Sequence, residues 1–217
     1  NNIDNLVTLF HESGHAIHSF LMHGLLLNGF KHTPTEMAEL ASMSMELLTM
    51  DYWDIFLPQE ADIKRAKKEH LEGIIRRLAW IAAIDKFQHW VYENPSHTFL
   101  EREEAWKGII DIFSDHLTTW DGYETIKYTL WQRQLHLFEV PFYYIEYGIA
   151  QLGAIGVWKN YKENPSKALQ AYKNALSLGY TRPLPIIYAT AGVKLDFSAE
   201  HLSYLIKFLR VQWEQLL

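Results

Sequence analysis

The sequence predicts an all-α fold, and three observations carry that prediction. Apolar residues recur at the three-and-four spacing of a helix face almost throughout. No alternating apolar/polar run extends beyond a few residues. The interruptions, such as Asn94-Pro95-Ser96 and Asn164-Pro165-Ser166, are helix stop and start signals rather than hairpin turns.

The elements follow in order. A first helix from about Asn2 to Met22, with Asp4 and Asn5 as candidate caps, is apolar enough to read as buried. Gly24 to Thr33 is a loop. Thr33-Pro34-Thr35-Glu36 then opens a second helix with a capping hydroxyl and an early proline, leading into Met37–Met50. Pro58 closes the next connection, and Ala61 to about Glu93 is one long helix, charged at first and apolar later. Thr98–Leu117 is amphipathic, Asp121-Gly122 marks a polar loop, and Tyr128–Glu139 is aromatic and ambiguous. Pro141 should open a helix to about Tyr161, and Asn164 should cap a shorter one through Leu178. After a turn over Gly179–Pro185 come Ile186–Ala191 and a last helix, Glu200–Leu217, capped within Phe197-Ser198-Ala199-Glu200. No 34-residue helix-pair repeat is evident, so residues 1–217 are expected to form a single helical domain.

Bulk properties narrow the chemistry. With 217 residues, 48% of them apolar, a sizeable core can form. Aromatics at 14%, including 8 Trp and 12 Tyr, exceed what a plain helical scaffold needs, so some should line a cleft or interface. A net charge of −6, without a Lys/Arg stripe, argues against a nucleic-acid partner. No segment has the roughly 18 uncharged apolar residues of a membrane span, so no membrane partner is expected. Cysteine is absent, which excludes a thiolate metal site and leaves His and carboxylate as the available ligands.

Within the first helix stands Leu9-Phe10-His11-Glu12-Ser13-Gly14-His15-Ala16-Ile17-His18, which contains H-E-x-x-H. On a helix His11 and His15 project from one face, one turn apart, where two imidazoles can ligate one Zn²⁺. Glu12 lies one position round, near enough to serve a metal-bound water as general base without ligating. Two ordinary buried histidines are the alternative. A third ligand has to come from elsewhere. Glu39 is favoured, because Ala38, Leu40, Ala41 and Ser42 around it include small residues that permit close helix approach. Glu36, in the first helical turn where acidic residues are often merely solvated, and His18, seven positions after His11, are its rivals. Glu46, seven after Glu39, could accept from a ligand His N–H or be an ordinary solvated or ion-paired carboxylate. A chain that opens ten residues before its first candidate ligand is expected to be the C-terminal fragment of something longer.

H-E-S-G-H-A-I-H followed by T-E-M-A-E-L-A-S-M-S-M-E-L-L resembles the thimet oligopeptidase/oligoendopeptidase F family of zinc peptidases, family M3. The match falls on His11, Glu12, Gly14, His15, His18, Glu39, Ser42 and Glu46. The resemblance implies a zincin-type catalytic domain with the H-E-x-x-H helix packed on a Glu-bearing helix, Zn²⁺ on His11, His15 and Glu39, and Glu12 as catalytic base. A second segment, His136-Leu137-Phe138-Glu139-Val140-Pro141-Phe142-Tyr143-Tyr144-Ile145-Glu146-Tyr147-Gly148, is similar to the family's His/Tyr segment. There His136, Tyr143 and Tyr147 would meet the substrate carbonyl as catalytic donors. Tyr143 and Tyr147, four apart, would share one helix face, and aromatic core is the alternative for all three tyrosines. Leu178–Pro185 and Ala191-Gly192-Val193 also resemble the oligoendopeptidase F branch.

The resemblance further implies an oligopeptide substrate, a cytoplasmic location, and a missing N-terminal portion that supplies the other wall of the substrate channel. Two other functions stay open. One is an inactive zinc- or peptide-binding fragment. The other is a helical H-E-x-x-H metallocarboxypeptidase, which needs a cationic group for the substrate C-terminus.

Overall fold

The computed structural model describes residues 3–217. Among them are ten α-helices, three short 3-10 segments and no strand, as the apolar spacing predicts. The helices are α1 (Ile3–Leu21), α2 (Thr35–Leu48), α3 (Glu60–Glu93), α4 (Phe99–Phe113), α5 (Glu124–Thr129), α6 (His136–Glu139), α7 (Ile145–Glu163), α8 (Pro165–Ser177), α9 (Leu184–Thr190) and α10 (Ala199–Glu214). The expected start of α1 at Asn2 lies outside the described residues, and Asp4 falls in the first helical turn with Asn5 beside it. No described helix is long and apolar enough to cross a membrane. The chain divides into two compact units, Asn1–Gly73 with Ile149–Leu217, and Ile74–Gly148.

In the first unit α2 is the axis. Met37, Leu40, Ala41, Ser42, Ser44, Glu46, Leu47 and Leu48 are all buried, leaving little of the helix to solvent. Two tyrosines tie neighbours to its backbone. Tyr172 of α8 donates to the Ala41 carbonyl at 2.7 Å, and Tyr188 of α9 donates to the Glu36 carbonyl at 3.0 Å. Burial pushes both phenols well above the usual range, so they remain neutral donors. The expected capping hydroxyl of α2 is not used. Pro34 itself occupies the cap, with φ −65° and ψ 157°, and its carbonyl accepts from Met37 and Ala38. A proline already held at helix-compatible φ presents its carbonyl without help from a side chain.

α1 packs on α2 and α8. Its expectation as a buried helix is corrected: only Gly14 and His18 are buried, while Leu9 is 53% and Phe20 80% exposed. α1 carries polar residues such as Asp4, Asn5, Glu12 and Ser19 among its apolar ones, and within residues 3–217 its neighbours α2 and α8 cover it only in part.

The second unit is built on Ala83, Ile84, Phe87, Trp106, Ile109, Ile110 and Trp131. α4 begins with a complete capping box, Thr98 and Glu101 satisfying each other's backbone N–H. It stops at Phe113, short of the expected Leu117, because the Ser114 backbone is extended, with φ −77° and ψ 154°, and His116 sits at φ +54°. The ambiguous Tyr128–Glu139 stretch is the end of α5, a 3-10 turn over Leu130–Arg133, and α6. Nor does a helix open at Pro141. Phe142 adopts φ +61°, which no right-handed helix can contain, and its ring packs 5.0 Å from both His89 and Tyr92. α7 therefore starts at Ile145, and Tyr143 and Tyr147 do not share one helix face.

Candidate metal centre

The 100° step of α1 sets His11 and His15 side by side, ring centroids 4.9 Å apart and nearly perpendicular. α2 brings Glu39 against them. One of its oxygens is 3.3 Å from His11 Nε2 and the other 3.9 Å from His15 Nε2. The three side chains offer ligand atoms that all lie within 4.8 Å of one another. The crossing depends on Gly14: a Cβ there would stand 2.5 Å from the Ser42 Cα and 2.8 Å from the Ala41 carbonyl oxygen.

Around this cluster the chemistry of each donor is set. Ser42 donates to Glu39 Oε2 at 3.0 Å, orienting the carboxylate. Glu46, buried at 6% exposure, lies 2.6 Å from His11 Nδ1. A carboxylate only accepts, so His11 carries its hydrogen on Nδ1 and directs the Nε2 lone pair at Glu39. An imidazole lone pair facing a carboxylate calls for a positive charge between them. A proton can supply it. Burial alone would lower the His11 pKa, but hydrogen bonds and charge from Glu39 and Glu46 outweigh that and raise it from 6.5 to about 10. Burial likewise resists ionisation of Glu39, and the His11 and Ser42 hydrogen bonds together with the two imidazoles overcome it, holding the carboxyl below its usual range. A divalent cation can supply the same charge, and two imidazoles with one carboxylate form a suitable donor set.

A divalent cation bound there would compete with that proton. The proton on His11 stabilises the fold fully below pH 6.5, and that contribution is lost as pH rises through about 10. A metal ion taken up there at neutral pH would have to displace it. Metal affinity should therefore rise about tenfold per pH unit from pH 7 to 9. Competition titrations against a chromophoric chelator measure this, and a flat profile would show that the two glutamates hold no proton on His11.

The other sequence candidates lie as follows. Glu12 is exposed on α1 next to His11. Glu36 is in the first turn of α2, outside the cluster. His18 is 3% exposed, its Nε2 has no hydrogen-bond partner among the described residues, and burial followed by the charge of His15 lowers its pKa to about 4. It is a neutral core histidine rather than a third ligand in this cluster. His70, which nothing in the sequence singled out, lies buried with Nε2 3.5 Å from the second oxygen of Glu46. Only the tertiary packing of α3 on α2 brings it there.

Within the second unit His136, Tyr143, Tyr144 and Tyr147 do come together. The His136 ring centroid is 5.8, 4.9 and 5.7 Å from the three phenol rings in turn. Tyr143 and Tyr147 meet edge to face at 5.7 Å, although they belong to different local conformations. All four side chains are half-buried.

Fold and site together define a class: all-helical proteins in which an H-E-x-x-H helix, packed on a glutamate-bearing helix, can hold a divalent cation. The chain belongs to peptidase family M3, whose model matches residues 2–205. It is 26% identical over 208 residues to an oligoendopeptidase F homolog of Borreliella burgdorferi (strain ATCC 35210 / DSM 4680 / CIP 102532 / B31), covering 91% of this chain and 34% of that protein. Among solved structures, PZ peptidase A with inhibitor 2 superposes with a TM-score of 0.88 at 28% identity, over 98% of this chain and 37% of that one. A Bacillus anthracis str. Ames chain described as an oligoendopeptidase F gives 0.76 at 26% identity, over 98% and 34%. The chain thus spans about a third of the length of the relatives it matches.

Proposed function

We propose that this chain carries the catalytic centre of a zinc metalloendopeptidase that hydrolyses peptide bonds in short oligopeptides. The observation that carries the reading is the convergence of His11, His15 and Glu39, with the His11 Nε2 lone pair directed inward by Glu46 and Glu12 exposed beside them. His₂Glu is a donor set of catalytic zinc, and no thiolate competes in a chain without cysteine. Zinc held by His11, His15 and Glu39 would supply Lewis acidity toward the scissile carbonyl and would make a water there more acidic.

The chain's own residues do the rest. Glu12 takes a proton from the attacking water and delivers it to the leaving amine as the C–N bond breaks. Glu46 and Ser42 keep His11 and Glu39 in register. The family resemblance, rather than any distance, gives His136, Tyr143 and Tyr147 the part of N–H and O–H donors to the oxyanion. The partners in this reading are an oligopeptide and the N-terminal portion that family members carry. A cytoplasmic location follows the family's habit.

The test pairs metal content with cleavage of an internally quenched oligopeptide, for the full-length protein and its Glu39→Gln variant. About one zinc per chain is expected, and Glu39→Gln should weaken binding by more than the roughly 10–100-fold that loss of an outer hydrogen-bond partner costs, with hydrolysis lost in parallel. Wild-type zinc content and rate in Glu39→Gln would overturn the ligand set. Internal fragments among the products support an endopeptidase, whereas free C-terminal amino acids point to a carboxypeptidase. Stoichiometric zinc with no cleavage by residues 1–217 alone, against cleavage by the full-length protein, would leave the inactive binding fragment.

A further inference from the structure

Gln134 stands between Trp80 and His136. Trp80 Nε1 lies 2.9 Å from Gln134 Oε1, and Gln134 Nε2 lies 2.6 Å from His136 Nδ1. The indole N–H can only donate, so it selects which end of the amide faces it. The carbonyl oxygen must turn to Trp80, and the NH₂ is left facing the imidazole. His136 Nδ1 then has to accept, and the neutral ring carries its hydrogen on Nε2. The opposite tautomer would set Nδ1–H against the amide N–H, two donors with no acceptor between them. The indole that starts this chain is itself held. Trp106 packs on it edge to face at 5.6 Å, and the Arg133 guanidinium sits 5.0 Å over the ring.

We infer that Gln134 is a positioning residue, oriented by Trp80, that locks His136 in the Nε2–H tautomer and so makes its outer nitrogen a hydrogen-bond donor. The inference rests on the proposed role of His136 as an oxyanion donor. A ring with the other tautomer would present a lone pair to developing negative charge and repel it. Stacking of the tyrosines on the His136 ring imposes no tautomer, whereas the Gln134 amide at Nδ1 does.

The test uses the full-length protein with ¹⁵N-labelled histidine, at a pH where the spectrum shows the His136 ring neutral. Wild type should show a single Nε2–H form. Gln134→Glu replaces the N–H donor with a second acceptor, so its ring should switch to Nδ1–H. With that switch kcat should fall by about 10²-fold, the cost of one oxyanion donor. KM should stay within about twofold, as for an interaction made only in the transition state. Gln134→Met, which removes the contact without imposing the opposite one, should show both tautomers and an intermediate kcat. If Gln134→Glu does not fold, wild type and Gln134→Met still decide.

A wild-type ring protonated on Nδ1 overturns the inference, as does a tautomer switch that leaves kcat unchanged. Failure of the peptidase reading itself looks different, because the wild-type tautomer is read without any substrate.

Discussion

Glu12→Gln is expected to lower kcat for peptide hydrolysis by at least about 10²-fold while leaving zinc content and helix content unchanged. The side chain is exposed on α1, so an amide of the same shape disturbs no packing. It is also one position away from His11, in the motif yet outside the cluster of ligand atoms. What the substitution removes is the ability to accept a proton. General base catalysis contributes roughly 10²–10⁴-fold, and Glu12 is proposed to move the proton twice, so kcat should drop at least to the lower end of that range. Stopped assays with a quenched peptide give the rate, atomic absorption the metal and circular dichroism the fold. A variant that still cleaves at the wild-type rate would remove Glu12 from the mechanism.

Gly14→Ala is the second large effect, and it runs against local propensity. In a free helix the change should stabilise by about 1 kcal/mol. Here the new Cβ meets the Ser42 Cα at 2.5 Å and the Ala41 carbonyl at 2.8 Å, both backbone atoms of a buried helix that cannot rotate aside. Ordinary carbon contacts are about 3.5–4.0 Å, so α1 must withdraw from α2 by about 1 Å. Overpacking of this kind costs about 1–3 kcal/mol, which cancels or exceeds the propensity gain. The larger consequence is geometric, because His11 and His15 travel with α1 while Glu39 stays on α2. Misplacement by about 1 Å can cost 10²-fold in rate, and metal affinity should fall with it. Metal titration and kcat read the effect, while thermal unfolding separates it from loss of the fold. Wild-type affinity and rate would show that the helix crossing yields at no cost.

How much could be read in advance depended on how local the cause was. Asn164 and Ser198 cap their helices as expected, and Thr98, expected only as the start of its helix, caps it too, each side chain reaching a backbone N–H three residues on. The pairing of His11 with His15 is equally local, one turn of one helix. Phe142 is the opposite case. Pro141 is a plausible helix start by itself, and what forbids the helix is a ring drawn between His89 and Tyr92, about fifty positions back. The limited burial of α1 has a related cause, since an apolar sequence says nothing about how much of a helix finds neighbours. Gln134 gave no signal at all: its meaning comes from Trp80, 54 positions away.

The sequence by itself determined the helical class, most helix boundaries and the donors available to a cation, because the three-and-four spacing, cap chemistry and absence of cysteine act within a few residues or on the whole composition. Only the tertiary structure decided that Glu39 rather than His18 faces both imidazoles and that Glu46 turns the His11 lone pair inward. Those outcomes require two helices to approach until a single hydrogen atom on Gly14 is all the space between them allows. A distance of that kind is a property of the packed core, not of any stretch of chain.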